Sequence, residues 1–394
     1  MNIETYPFMM KIAFTSDYFY PSTGGAEQSC LELAKAIKKR GHEVVVFTRN
    51  GIKSDQIEGV HVERVFKTLS NLTFNRDIIF PRIVDLKEKK RLIHKIEGED
   101  IDILHSNNRD TAIFTAKVGR KLSIKTVAHI RDYWPVCPKR DFLKKSHICS
   151  GPKYCSICMS TYYNKWLKFP FYFKSRIDTN YRLKEIERYV DHYVYNSNFI
   201  KKKIRLDPGT VIYNPIDTNS VRIKEKEEGK ILFIGNVTKR KGIDILARAV
   251  ERLDVELHIV GEGYLLDKIK GKNIIKHGRL DYKDVLDHLS TSSVLVVPSV
   301  WPEPFGRVAV EGMALGCAVI VSPYGALPEV VGEGGFVLDQ VDEKSIKYAI
   351  SNILDDTSLR KRLIKRGVVR SKKFKPEKIA GQMIELYSDL LNQK

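Results

Sequence analysis

Short apolar runs recur along the chain. Each is followed by a polar or glycine-rich break and then by a stretch whose apolar residues return every three or four positions. Short runs of this kind, bounded by breakers, read as buried strands, and the longer periodic stretches read as helices. Strands are therefore expected at 11–16, 43–48, 60–66, 101–106, 125–130, 192–195 and 211–214, and again at 231–235, 255–260, 273–277, 294–297, 318–322 and 335–338. Helices are expected from Glu27 to Arg40, with Gly41 as C-cap, and over 85–100, 181–190, 244–253 and 307–315. A last helix starts near Pro376, a residue suited to a first turn, and carries Ile379, Met383, Ile384, Tyr387 and Leu391 on one apolar stripe. About 13 strands alternating with helices in two sets predict an α/β protein of two doubly wound, Rossmann-like domains. The polar run 218–230 reads as the linker between them.

Candidate chemistry gathers at the breaks after the strands, the edge where open α/β sheets bind ligands. In 294–316, VLVVPSVWPEPFGRVAVEGMALG, the prolines keep Glu303 in a loop at a strand's carboxyl end, and Glu311 lies in the helix that follows. The amides of Phe305, Gly306 and Arg307 would meet a phosphate at that helix N-terminus, with a carboxylate on either side for sugar hydroxyls. The plainer alternative is a pair of solvated carboxylates. Arg240 and Lys241, just before Gly242 and a helix start, make either an anion site or a solvated basic triplet. Gly24 and Gly25 sit at the first strand–helix turn, where they let a backbone approach a ligand or simply make the turn. The strand 101–106 runs into Asn107. His129 and Arg131 share one face of another strand end, and Asp132 either accepts a ligand hydroxyl or pairs with Arg131.

Composition narrows the classes. With 394 residues and 43% hydrophobic content, two soluble domains are expected, and no apolar run approaches the roughly 18 residues a membrane helix needs. The N-terminal MNIETYPFMM lacks the features of a signal peptide, so a cytoplasmic protein is expected. The net charge of +19 suits nucleic acid, an anionic membrane or a phosphorylated ligand, but no nucleic-acid-binding module is seen, so no nucleic-acid partner is expected. The segment 161–176, TYYNKWLKFPFYFKSR, interleaves aromatic and basic residues and reads either as a membrane-interface element on the inner face of the membrane or as a core helix or lid. Of the six cysteines, Cys30 and Cys317 fall in core patterns. Cys137, Cys149, Cys155 and Cys158 cluster as C-x11-C-x5-C-x2-C, for which structural zinc is expected ahead of an iron–sulfur cluster or no metal.

The block E-P-F-G-x-x-x-x-E after a P-S strand end resembles the E-x7-E motif of the retaining glycosyltransferases of family 4, with further matches in order over roughly residues 11–390. These include Gly24-Gly25 as the glycine loop, VIYNPID as the domain-exit signature, and Arg240-Lys241 as the donor-diphosphate clamp. The D-x-W-x-x-C-P run with its cysteine-rich insertion (137–158) resembles a subgroup. The resemblance implies the GT-B fold: an acceptor-side domain over 1–215, a nucleotide-sugar domain over 216–377, and a helix over 378–394 crossing back, with the two domains facing each other across a cleft. It implies transfer of a hexose-type sugar from a nucleotide diphosphate sugar to an acceptor hydroxyl of a glycan, a lipid-linked or a small molecule. Configuration would be retained, and no catalytic metal is expected. Glu303 would hold the donor sugar, Glu311 the ribose, and the loops at Gly261 and at Gly278-Arg279 the base. His129 or Arg131 would touch the donor sugar. Alternatives from other classes are a GT-B sugar-nucleotide epimerase and a catalytically silent sugar-nucleotide-binding or membrane-surface scaffold.

Overall fold

The computed structural model describes residues 9–20, 24–49, 55–66, 81–137, 139–144, 147–149 and 168–393. The chain divides into two compact units. The first takes in Met1–Lys145, Cys149–Pro215 and Pro376–Lys394, and the second Ser146–Ile148 and Ile216–Lys375.

In chain order the elements up to Pro215 are β1 (Lys11–Ser16), α1 (Gly25–Lys39), β2 (Glu43–Arg49), β3 (Asp55–Ile57), β4 (Val60–Phe66), α2 (Pro81–Ile96), β5 (Ile103–Ser106), α3 (Arg109–Leu122), β6 (Lys125–Ile130), β7 (Leu143–Lys144), β8 (His147–Ile148), α4 (Lys168–Tyr189), β9 (His192–Tyr195), α5 (Asn198–Ile204) and β10 (Gly209–Val211). The first unit's sheet runs β10-β9-β6-β5-β1-β2-β4-β3. Its pairs are parallel except β3 on β4. Alternation along β1 sends Ile12 and Phe14 to one face and Ala13 to the other. The first face packs with Cys30, Leu33 and Ile37 of α1, and the second with Leu104, Phe114 and Val118.

The second unit runs β11 (Glu227–Ile234), α6 (Ile243–Val250), β12 (Glu256–Val260), β13 (Ile274–Gly278), α7 (Tyr282–Thr291), β14 (Ser292–Val297), α8 (Arg307–Ala314), β15 (Ala318–Val321), α9 (Leu327–Val331), β16 (Gly335–Val337), α10 (Glu343–Asp355) and α11 (Thr357–Ser371). Its parallel sheet has the order β13-β12-β11-β14-β15-β16. Ile231, Phe233, Leu257, Ile259, Val294 and Val296 form one buried face with α6 and α10. The last helix, α12 (Pro376–Asn392), belongs to the first unit, where Ile379, Met383, Ile384 and Tyr387 join the β1–α1 core. Both sheets are doubly wound, and the architecture is the two-domain GT-B fold.

Several boundaries differ from the sequence pattern. The helix expected at 85–100 is α2, which starts at Pro81 and stops at Ile96, short of Gly98 with its φ of +92°. The helix expected at 181–190 begins at Lys168, so 168–176 of the basic-aromatic segment are helical, while 161–167 lie outside the described residues. The strand expected at 211–214 is Gly209–Val211. Asn214 leaves the ladder and gives its side chain to Arg131. The polar run 218–230 is not all linker, because β11 begins at Glu227 with its first residues exposed and Lys230 tied to Glu227 and Thr291. Asp102 accepts the Lys11 amide at 2.7 Å and so fastens β1.

The apolar stripe of α12 is integral to the first unit's core, and Ile384 is fully buried. Ile384→Ala is expected to cost roughly 2–5 kcal/mol of that unit's stability, read as a lower urea midpoint at unchanged slope.

Candidate active site

In the second unit the loops after β11 and β14 are held together by backbone. The Val300 amide donates to the Arg240 carbonyl at 3.0 Å. Gly242 makes this approach possible: its φ is +70°, and a Cβ there would stand 2.0 Å from the Pro298 carbonyl oxygen. A side chain would force the two loops apart. The short turn Lys239–Lys241 thereby places Arg240 over the Trp301 ring, 4.4 Å from its centroid, and Lys241 against Glu303.

Glu303 is 5% exposed. Its Oε1 accepts from Ser299 Oγ at 2.6 Å and Trp301 Nε1 at 2.9 Å, and is also bonded to Lys241 Nζ. Burial would raise its pKa, but the Lys241 charge and these three donors outweigh burial and hold the carboxyl below its ordinary value. Its backbone forms a parallel bridge with Gly325, and the Ala326 amide donates to the Glu303 carbonyl at 2.8 Å. Gly325 has φ +76°, and a Cβ there would lie 2.3 Å from both the nitrogen and the oxygen of Glu303.

Glu311, also buried, lies on α8, which Gly306 caps. Glu311 Oε1 meets Arg307 Nε at 2.7 Å and accepts the Tyr282 hydroxyl at 3.0 Å, while Arg307 also donates to Tyr282 at 2.8 Å. Neither glutamate is a solvated carboxylate. Phe305 is buried, with its ring edge-on to Phe374. Gly261 follows β12 and Gly278 ends β13, linked by the Gly261 amide to the Gly278 carbonyl at 2.7 Å, and Arg279 beside them is exposed.

The first unit holds a second polar set. Arg131 is buried and donates to Asn107 Oδ1 at 2.8 Å and to Asn214 Oδ1, and its carbonyl accepts from Asn196 at 3.0 Å. Beside it His105 Nδ1 lies 2.6 Å from the Tyr387 hydroxyl, and His105 Nε2 lies 3.3 Å from His129 Nδ1. Burial, reinforced by the Arg131 charge, pushes both histidines well below their ordinary pKa and keeps them neutral. Burial raises the Tyr387 hydroxyl well above its own, so it stays protonated. With Tyr387 donating to His105, the chain of protons runs to His129 and leaves its Nε2 as a donor. That atom is buried and has no hydrogen-bond partner among the described residues. Asp132 does not pair with Arg131. It accepts from Arg140 Nε at 2.9 Å and from the Trp134 amide at 2.8 Å. Gly24 and Gly25 are exposed at the start of α1.

Trp301, Ser299, Gly325, Tyr282, His105 and Tyr387 escaped the sequence reading. Tyr387 looked like one more member of an apolar stripe, since nothing local marks a hydroxyl that bonds 282 residues away. Cys137 and Cys149 are buried and free of disulfides, whereas Cys155 and Cys158 lie outside the described residues. Burial raises the Cys137 thiol, opposed by hydrogen bonds from the backbone of Phe142, Lys139 and Arg140.

The model described as Glycosyltransferase Family 4 matches residues 23–220, half of the chain, and that described as Glycosyl transferases group 1 matches 216–370. The chain belongs to the family 4 glycosyltransferases. An uncharacterised glycosyltransferase of Methanocaldococcus jannaschii is 28% identical over 97% of this chain and 99% of its own length. The Campylobacter jejuni N-acetylgalactosamine-N,N'-diacetylbacillosaminyl-diphospho-undecaprenol 4-alpha-N-acetylgalactosaminyltransferase is 31% identical over 44% of this chain and 52% of its own. Among solved structures, Anabaena HepE in complex with UDP-glucose superposes with a TM-score of 0.70, at 16% identity, over 96% of this glycosyltransferase and 100% of that chain. The epimerase and scaffold alternatives are not favoured by these matches. Among the described residues no helix is long and apolar enough to cross a membrane.

Two outcomes test the geometry of this glycosyltransferase. Gly325→Ala is expected to cost on the order of 2 kcal/mol through strain, and thermal unfolding will show the loss. The depressed pKa of Glu303 contributes stability that is fully present above its ordinary value of 4.5 and is lost as pH falls through the folded value. Glu303→Gln should therefore flatten the acid limb of a plot of melting temperature against pH while lowering the plateau near neutrality.

Proposed function

We propose that this family 4 glycosyltransferase transfers a hexose-type sugar from a nucleotide diphosphate sugar to an acceptor hydroxyl with retention of configuration, and that no divalent ion takes part in the chemistry. The observation that carries the proposal is the cluster of Arg240, Lys241, Trp301 and Glu303, assembled by backbone contacts at the carboxyl ends of β11 and β14. Leaving-group charge grows on the diphosphate in the transition state, and preorganised cations stabilise it at no further cost in reorganisation. Arg240 and Lys241 are those cations. A diphosphate arriving at Lys241 draws its ammonium from Glu303, whose carboxylate then accepts the donor sugar's hydroxyls. Glu311, fixed by Arg307 and Tyr282, accepts from the ribose. The loops at Gly261 and at Gly278-Arg279 hold the base.

In the first unit His129 Nε2 is the group assigned to the sugar, and Arg131, fastened by Asn107 and Asn214, is assigned to charge. Gly24 and Gly25 line the acceptor side. UDP-glucose in the HepE complex supports a nucleotide-sugar donor. The diphospho-undecaprenol named for the Campylobacter jejuni relative supports a lipid-linked acceptor. The basic-aromatic run 161–176 suits an anionic surface where such an acceptor is found, on the inner face of the cell membrane. The backbone donors around Cys137 suit a thiolate ligand, and structural zinc at Cys137, Cys149, Cys155 and Cys158 is proposed with them.

A thermal-shift screen of UDP, GDP, ADP and CMP sugars tests the donor reading, since a ligand of the native state raises its melting temperature by mass action. One nucleotide diphosphate sugar is expected to stabilise wild type and to lose that effect in Arg240→Ala. With that donor and a lipid-linked acceptor, proton NMR of the new linkage should show the donor's anomeric configuration. Replacing Glu303 by Gln should reduce kcat by about a hundredfold or more, as removal of a transition-state contact does. An inverted linkage, or a donor that binds Arg240→Ala as well as wild type, would overturn the assignment.

A further inference from the structure

Three histidines from separate elements of the second unit converge. His258 lies in the middle of β12, and His277 sits in β13 where the ladder slips. Ile259 pairs with Lys276 and Val260 with Gly278, so His277 has no opposite number on β12. A bulge of this kind re-aims a side chain. Here His277 Nε2 lies 3.0 Å from His258 Nδ1, with the rings 5.1 Å apart and 17° from parallel. His288, from the last turn of α7, brings its ring to 4.3 Å from that of His277 and 6.2 Å from that of His258.

One nitrogen from each ring lies within 4.8 Å of the others. Two nitrogens on a tetrahedral zinc are about 3.3 Å apart, so a side-chain adjustment closes the set. His288 Nδ1 is buried with no hydrogen-bond partner among the described residues, an unsatisfied atom that calls for an explanation. Glu256 Oε2 stands 3.4 Å from His258 Nε2. A carboxylate there holds the proton on Nε2 and leaves the Nδ1 lone pair for a metal, as carboxylate–histidine–metal triads do. Burial lowers the pKa of all three, that of His277 to about 4, so near neutrality they have the uncharged form that coordinates. Lys230 is the cation nearby, held by Glu227 at 2.8 Å. Glu256 adds a second carboxylate, so the surroundings tolerate a dication.

We propose that His258, His277 and His288 bind one divalent first-row cation of the zinc type. Its three ligands are none of the cysteines and none of the donor-loop residues, although His277 directly precedes Gly278. Three imidazoles suit zinc, copper or nickel and leave a fourth position for water. Because β13 is the sheet's edge strand, the ion would fasten it to β12 and α7, below the loop that begins at Gly278. The role is structural and requires no chemistry at the metal.

The test uses full-length, untagged protein stripped with a chelator and titrated with Zn²⁺ by calorimetry, with Co²⁺ as a spectroscopic probe. Cys155→Ser/Cys158→Ser protein is expected to retain one equivalent of Zn²⁺, with nitrogen and oxygen but no sulfur at the zinc absorption edge, and to melt higher with the metal. His277→Gln/His288→Gln is expected to weaken that equivalent by more than about tenfold, since even outer-shell changes cost tenfold or more. It should leave far-UV circular dichroism unchanged. His288→Gln alone, on the helix, gives the same readout should the double variant not fold. Equal zinc affinity with and without these histidines would overturn the site, as would sulfur-only cobalt spectra in the wild-type chain. In that case His258 and His277 are a neutral stacked pair satisfied by their mutual hydrogen bond.

Discussion

Glu303 brings a negative charge into the body of the second unit, and the loops around it are shaped by the need to balance that charge. An isolated buried carboxylate costs several kcal/mol. This one is met by an ammonium, a hydroxyl and an indole N–H on a single oxygen. Ser299 and Trp301 lie in Glu303's own loop, whereas Lys241 comes from a loop that only a close backbone approach could place there. Gly242 lets the β11 loop touch Pro298, and Gly325 lets the β15 loop bridge Glu303 itself. The same contacts set Arg240 on the face of Trp301, so the balance of the buried charge and the proposed diphosphate clamp are one arrangement.

The first unit solves a different problem. It buries a guanidinium beside two imidazoles. Arg131 donates to the neutral acceptors Asn107 and Asn214, and the histidines stay uncharged in its field. Tyr387, from a helix at the far end of the sequence, closes the series by bonding His105. Its hydroxyl fixes which nitrogen of His105 carries the proton, and through it the donor on His129. The last helix is thus both a wall of the first unit's core and the origin of its hydrogen-bond order.

Much of the architecture was legible in the chain. Strands at 11–16, 125–130 and 192–195 fall where largely apolar runs end in breakers, as parallel strands covered on both faces require. The loops that follow them were legible as candidate ligand-side edges, and Glu303, Glu311, Arg240 and Lys241 stood out as candidates through their place in strand–loop–helix units. Boundaries were less legible wherever tertiary bonds outweighed local pattern. Glu227–Lys230 looks like linker yet pairs as strand, and Asn214 looks like strand yet turns to Arg131.

The sequence by itself determined the order of strands and helices, the two-domain arrangement and the set of charged residues at the sheet edges. Hydrophobic period and breaker positions are local properties, and each is written within a dozen residues. Only the tertiary structure decided which partners those residues meet. It joined Lys241 to Glu303, set Tyr282 against Glu311, linked Tyr387 to His105, and brought His258, His277 and His288 together. Hydrogen bonds and ion pairs act over about 3 Å in space, whatever the separation along the chain. No pattern of neighbours in sequence records them.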